Sequence, residues 1–142
     1  MKYSDYLKEV TACPFCASDK IRIVENDTAF LTYAVAPYHP DHILVIPKRH
    51  IERILDLTEK ETRDIESLNR QALSILENLG YTNISILVKD GDKTEKSVAH
   101  THYNIIPDVV LHDTDHTGAD RIVLTEKEIP TAVARIRSAI RN

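Results

Sequence analysis

Apolar and polar positions alternate along this chain with two different periods, separated by turn residues. From Lys20 to Glu25 the alternation predicts a strand with Ile21 and Ile23 on one face. Asn26-Asp27 predicts a hairpin turn that returns the chain through Ala29 to Val35. Pro37 and Pro40 bracket a loop, His42 to Pro47 forms a strongly apolar strand, and Asn83 to Lys89 forms another. Between those strands, Thr58 followed three residues later by Glu61 has the form of a capping box. Ile65, Leu68, Ala72, Ile75, Leu76 and Leu79 then make a stripe at helical spacing, which reads as core packing. This helix is expected to run to about Leu79, where Gly80 stops it. At the ends, Ser4 is expected to cap a short helix over Asp5 to Glu9. A last helix from about Glu126 carries Ile129, Val133, Ile136 and Ile140 on one side. Beyond Pro107 the segment to Arg121, with Asp113, Asp115 and Gly118, reads as an exposed polar loop. Sheet-forming runs in hairpin order around one long helix predict an α+β fold with a mainly antiparallel sheet.

One run breaks the rule that polar groups belong to loops. From Val98 to Pro107, His100, His102 and Asn104 sit at every second position, alternating with Ala99, Thr101, Tyr103 and Ile105. Period two is the strand period, so all three groups should point from one face, about 6.6 Å apart. That spacing suits one imidazole acting as a nucleophile while its neighbours hold a metal or a substrate phosphate.

Composition narrows the classes. The 142 residues fit a single domain with a sizeable core, and 42% apolar and 28% charged residues are ordinary for a soluble globular protein. No apolar run approaches the length of a membrane span, and residues 1–5 lack a signal-peptide core, so the expected location is the cytoplasm. A formal charge of -4 argues against nucleic acid as a partner, but a few local cations suffice for a small anion. Two cysteines alone, Cys13 and Cys16, cannot make a disulfide framework.

The Cys13-Pro14-Phe15-Cys16 turn has three readings: a redox pair, a metal site or no role. Redox is disfavoured because the turn does not open the helix of a βαβ unit. A tetrahedral metal site needs two more ligands, and His39, His42, His50 and His100 are placed to supply them. Spacing does not choose among these four. Gly91 to Ser97 does not meet the phosphate-loop pattern, Lys48-Arg49 reads as a solvated strand end, and His112, Asp113, Asp115 and His116 read as surface.

Taken together and in order, Cys13-Pro14-Phe15-Cys16, Ala29-Phe30-Leu31, Ile43-Leu44-Val45-Ile46-Pro47-Lys48-Arg49-His50 and His100-Thr101-His102-Tyr103-Asn104-Ile105-Ile106-Pro107 resemble the histidine triad (HIT) family of nucleotide hydrolases and transferases. The resemblance covers roughly residues 13 to 107, which leaves residues 108–142 as a C-terminal helical extension of the same domain. It implies a HIT-like fold of about five strands and one long helix, a homodimer, and a purine nucleotide or nucleotide conjugate as substrate. His102 is then the nucleophile that forms a covalent nucleotidyl-imidazole at the α-phosphate, flanked by His100 and Asn104. The resemblance further implies a structural Zn2+ on Cys13, Cys16, His50 and His100, with His42 near the site.

The sequence departs from the family in several places. Asn104 replaces the third histidine, and Thr32 stands where an aspartate commonly binds ribose hydroxyls. Lys89 replaces an asparagine, and Glu95-Lys96 replaces Gly-Gln ahead of the retained Ser97. The expected substrate contacts are therefore Ser97, Lys96, Thr32 and His42; Lys93 and Lys96 add charge that would suit a more highly charged phosphate chain or a sugar phosphate, although solvated loop lysines are the favoured reading of the pair. The expected function is a nucleotide hydrolase or nucleotidyltransferase. The alternative is a catalytically weakened nucleotide-binding or interaction protein that keeps the zinc-stabilised fold.

Overall fold

The computed structural model of the chain describes residues 1–91, 94, 96–110 and 119–141. Lys93, Glu95, His112, Asp113, Asp115, His116 and Gly118 lie outside the described residues. Five strands form one antiparallel sheet in the order β1-β2-β3-β5-β4: β1 Val24–Glu25, β2 Ala29–Tyr33, β3 Ile43–Pro47, β4 Ile84–Leu87 and β5 Tyr103–Pro107. The three α-helices among the described residues are α1 Tyr3–Glu9, α2 Glu59–Asn78 and α3 Glu128–Ser138. No helix among the described residues is long and apolar enough to cross a membrane.

β2 and β3 are buried along their whole length, because both faces of the sheet are covered. Leu31, Tyr33, Ile43, Val45 and Ile105 face α2, which turns Ile65, Leu68, Ala72, Ile75 and Leu76 onto them. Val133 and Ile136 of α3 join the same core. Phe30, Leu44 and Ile46 face the other way and pack with Phe15, Ala34 and Val98. Register places Thr32 opposite Leu44 and Leu44 opposite Asn104, so the second face continues from this apolar patch to the polar end of β5.

The helix signals hold for α2. Thr58 accepts from the Glu61 backbone, the Glu61 side chain accepts in return, and Gly80 follows the helix at φ +101°. α3 starts two residues later than expected, with Thr125 and Glu128 exchanging backbone–side-chain hydrogen bonds ahead of it. α1 begins at Tyr3, not after a Ser4 cap. Its early N–H groups are met by the distant chain instead: Tyr3 donates to the Arg121 carbonyl (2.7 Å) and Ser4 to that of Ala119 (3.1 Å). Residues 119–123 therefore lie against the N-terminus, which corrects the reading of 119–121 as part of an exposed loop.

Three further expectations change. The 20–25 strand shortens to Val24–Glu25, because upstream of it the pairing comes down to Ile23 N–H on the Leu31 carbonyl and the Thr32 hydroxyl on the Ile21 carbonyl. β5 starts at Tyr103, so His100 and His102 precede the ladder and do not share one strand face with Asn104. The chain is drawn off the sheet there by Thr101 N–H, which donates to the Ile51 carbonyl at 2.6 Å. Arg49 is exposed as expected but not merely solvated: its guanidinium pairs bidentately with the buried Glu61 at 3.1 and 2.7 Å.

That pair carries a prediction. Arg49 holds the Glu61 carboxyl below its usual range, so the folded pKa lies under the unfolded one. Its stabilisation is complete at neutral pH and disappears as pH falls from 4.5 through the folded value. Glu61→Gln should cost about 1–2 kcal/mol in urea unfolding at neutral pH. The difference from wild type should shrink in acid.

Candidate active site

The first cluster is built where three segments meet. Cys13 and Cys16 are presented by a turn closed by the Cys16 N–H on the Cys13 carbonyl, His50 follows β3, and His100 precedes β5. Their ligand atoms all lie within 4.8 Å of one another. Cys13 Sγ is 3.4 Å from His100 Nδ1, Cys16 Sγ is 3.5 Å from the same nitrogen, and Cys16 Sγ is 3.4 Å from His50 Nδ1. A tetrahedral zinc with two sulfur and two nitrogen ligands needs S···N edges of roughly 3.6 Å, so the donor set fits. The His100 ring is oriented for it: Nε2–H donates to the Pro47 carbonyl at 2.8 Å, leaving the Nδ1 lone pair toward the sulfurs. Burial pushes the His100 pKa down, which keeps that lone pair available. Among the four histidines left open by spacing, His39 instead packs edge-on against Tyr81 and accepts from the Asp41 N–H.

The second cluster is a narrow cleft of about 20 Å³ lined by Tyr38, Leu87, Lys89, Ser97, His102, Asn104 and Arg121. That volume holds about one water. His102 Nδ1–H donates to the His100 carbonyl at 2.8 Å, because a carbonyl can only accept. The Nε2 atom is therefore the unprotonated nitrogen. The His102 pKa is pushed down to about 4, chiefly by burial and then by the charges of Lys96, His100 and Arg121. Phe15 stands edge-on to both imidazoles, with centroids 5.0 Å from His102 and 5.7 Å from His100.

Asn104 is oriented by a directed chain. The Tyr38 N–H donates to His42 Nδ1 at 3.2 Å, which leaves the proton on Nε2. His42 Nε2–H donates to Asn104 Oδ1 at 3.0 Å, and Asn104 Nδ2 donates to the Leu87 carbonyl at 3.1 Å. Reversing the amide would set donor against donor, so one orientation is selected. One amide hydrogen of Asn104 remains for a substrate oxygen. His42 is fully buried and its pKa falls to about 3, mainly from desolvation and then from the charge of Arg121. It supports Asn104 from behind and does not line the cleft.

The other expected contacts divide. Ser97 lines the cleft and accepts from the Tyr3 hydroxyl at 3.1 Å, which leaves its own hydrogen to donate. Thr32 is fully buried with its hydroxyl on the Ile21 carbonyl at 2.6 Å, so it is not presented to a substrate. Lys96 does not line the cleft: its ammonium donates to the Glu52 carbonyl at 2.6 Å. Tyr38, Leu87 and Arg121 were missed by the sequence reading. Each reaches the cleft through tertiary packing, and no local pattern marks them.

A family model for the HIT domain matches residues 17–109. The chain is 33% identical over 83 residues to a bis(5'-adenosyl)-triphosphatase from Dictyostelium discoideum, covering 58% of this chain and 56% of that protein. This chain thus spans about half the length of that curated relative. Among solved structures it is similar to a hypothetical histidine triad nucleotide-binding protein from Sulfolobus tokodaii, with TM-score 0.73, 18% identity and coverage of 89% and 91%. It is also similar to a Zn-bound histidine triad family protein from Mycobacterium smegmatis, with TM-score 0.69, 20% identity and coverage of 90% and 92%.

Burial of His42 predicts an imidazole that does not titrate near neutrality. Ring nitrogen shifts of His42 should remain those of the neutral Nε2–H form from roughly pH 8 to pH 5. The folded pKa, about 3, lies below the unfolded 6.5, so this group's contribution to stability is full above 6.5 and declines as pH falls toward 3.

Proposed function

The chain belongs to the HIT family, and from that premise we propose that it is a nucleotide hydrolase or nucleotidyltransferase acting at a nucleotide α-phosphate. The observation that carries this reading is the tautomer of His102, whose bond to the His100 carbonyl leaves the Nε2 lone pair for the cleft. In the proposed reaction Nε2 attacks phosphorus, the N–P bond forms and the bond to the leaving group breaks. Water or another acceptor then attacks the nucleotidyl-imidazole and returns His102 to its neutral form. Asn104 and Ser97 each donate a hydrogen bond to a non-bridging phosphate oxygen, steadying charge that grows in the transition state.

A nucleoside has room beside Phe15, which also borders a cavity of about 230 Å³ walled by Tyr3, Tyr6 and Tyr33. This aromatic lining suits a purine. We read Cys13, Cys16, His50 and His100 as holding a structural zinc, which when bound fixes the N-terminal turn against the nucleophile segment. Residues 1–142 are read as one domain and the protein as a cytoplasmic homodimer. Asn104 in the third triad position, with Thr32 and Lys89, is what favours the second reading, a nucleotide-binding or interaction protein with weakened turnover.

Turnover of adenosine and guanosine phosphoramidates, a dinucleoside polyphosphate and a nucleotide sugar decides between the two. His102→Ala should lower kcat/KM on the preferred substrate by on the order of a thousandfold or more, with the fold intact. Nucleotide binding without turnover by the wild type would select the second reading. Metal analysis should find about one zinc per chain. Cys13→Ser should reduce that content and lower Tm.

A further inference from the structure

The family model ends at residue 109, yet residues beyond it bring a cation to the cleft. Lys2 and Ile122 form an antiparallel bridge, and the Val123 N–H donates to the Met1 carbonyl at 2.9 Å. Leu124 N–H on the Val35 carbonyl, at 2.8 Å, ties this strap to the chain after β2. Arg121, at its centre, is fixed on several sides. Its guanidinium lies 4.1 Å from the centroid of Tyr38 and 4.8 Å from that of Tyr3, and Nη1 donates to the Ala36 carbonyl at 2.6 Å. Both rings belong to the site, because Tyr38 lines the cleft and Tyr3 donates to Ser97. Stacking preserves the charge and removes side-chain freedom before a ligand arrives.

The charge of the cleft is informative. Among the described residues its lining contains two cations, Lys89 and Arg121, and no carboxylate. An α-phosphate esterified to a nucleoside and carrying a neutral leaving group has one negative charge, which Ser97 and Asn104 can meet with neutral donors. Two further cations match a ligand with more phosphate than that. The leaving group points the same way. Asn104 has no titratable proton, and the His42 Nε2–H is committed to Asn104. Neither can protonate a departing amine or alkoxide, whereas a phosphate departs as an anion without that help.

We propose that Arg121 is a specificity-determining residue that binds a phosphate on the leaving-group side of the substrate, directing the site to nucleotides whose leaving group is itself a phosphate. This rests on the nucleotidyl hydrolase or transferase reading above. The substrate class is then a nucleoside polyphosphate, and Arg121 acts by holding the departing chain in line with the attack of His102.

The test compares kcat and KM for diadenosine triphosphate and adenosine phosphoramidate in wild type, Arg121→Gln, Arg121→Lys and Lys2→Ala. A charge-assisted hydrogen bond lost to one substrate only should make Arg121→Gln lose about tenfold or more in kcat/KM on the polyphosphate beyond any loss on the phosphoramidate. The loss should appear mainly in KM, and Arg121→Lys should recover part of it. Lys2→Ala, which removes the exposed ion pair with Asp120, loosens the strap while keeping the guanidinium and should leave the ratio of the two substrates unchanged. Equal losses on both substrates, or a ratio that follows Lys2→Ala, would overturn the proposal and leave Arg121 as a structural tie. If wild type turns over neither substrate, the enzymatic reading fails separately. Calorimetry with inorganic tripolyphosphate then decides: binding about tenfold weaker in Arg121→Gln supports the phosphate role, and equal affinity overturns it.

Discussion

The interaction on which this site depends is the set of three contacts made by His100. Its Nε2–H is committed to the Pro47 carbonyl, its Nδ1 faces the two cysteine sulfurs, and its carbonyl accepts from the His102 ring. The end of β3, the N-terminal turn and the segment before β5 therefore converge on one fully buried residue. If His100 turned, the cysteine cluster would lose a ligand and His102 would lose the acceptor that selects its tautomer. A metal on the cluster would thus act on His102 through geometry, across a single peptide carbonyl, without touching the cleft.

Asn104 shows how a carboxamide can take a position usually given to an imidazole. The chain from the Tyr38 N–H through His42 to Asn104 and the Leu87 carbonyl has one consistent direction, so the amide is held as firmly as a ring would be. An amide can donate to phosphate, but it cannot exchange a proton near neutral pH. On the proposed function, the chemistry open to this cleft is narrower than with three histidines and favours leaving groups that depart as stable anions.

The two ends of the chain complete what the sheet begins. α1 is short and has no side-chain cap, and it meets its early N–H groups on the carbonyls of residues 119 and 121. The same pairing sets Tyr3 beside Ser97 and Arg121 beside Tyr38. Ends that sequence alone leaves as a weak helix and a polar loop thus form one wall of the site.

Local rules were enough for much of this architecture. The Thr58–Glu61 capping box, the α2 stripe and the apolar runs of β2 and β3 are short-range patterns, and each element formed where its pattern lay. The motif residues were equally legible, because Cys-x-x-Cys and His-x-His-x-Asn carry their chemistry in their spacing. Tertiary structure decided the rest. It chose His50 and His100 over His39 and His42 for the cysteines, since only folding brings Nδ1 atoms to the sulfurs. It started the β5 ladder only after His102, because the Ile51 carbonyl takes the Thr101 N–H that a strand would have paired. It withdrew Thr32 and Lys96 onto backbone carbonyls and set Arg121 in the cleft. Which hydrogen bond a side chain makes depends on the nearest competing acceptor, and residues far apart in sequence supply it.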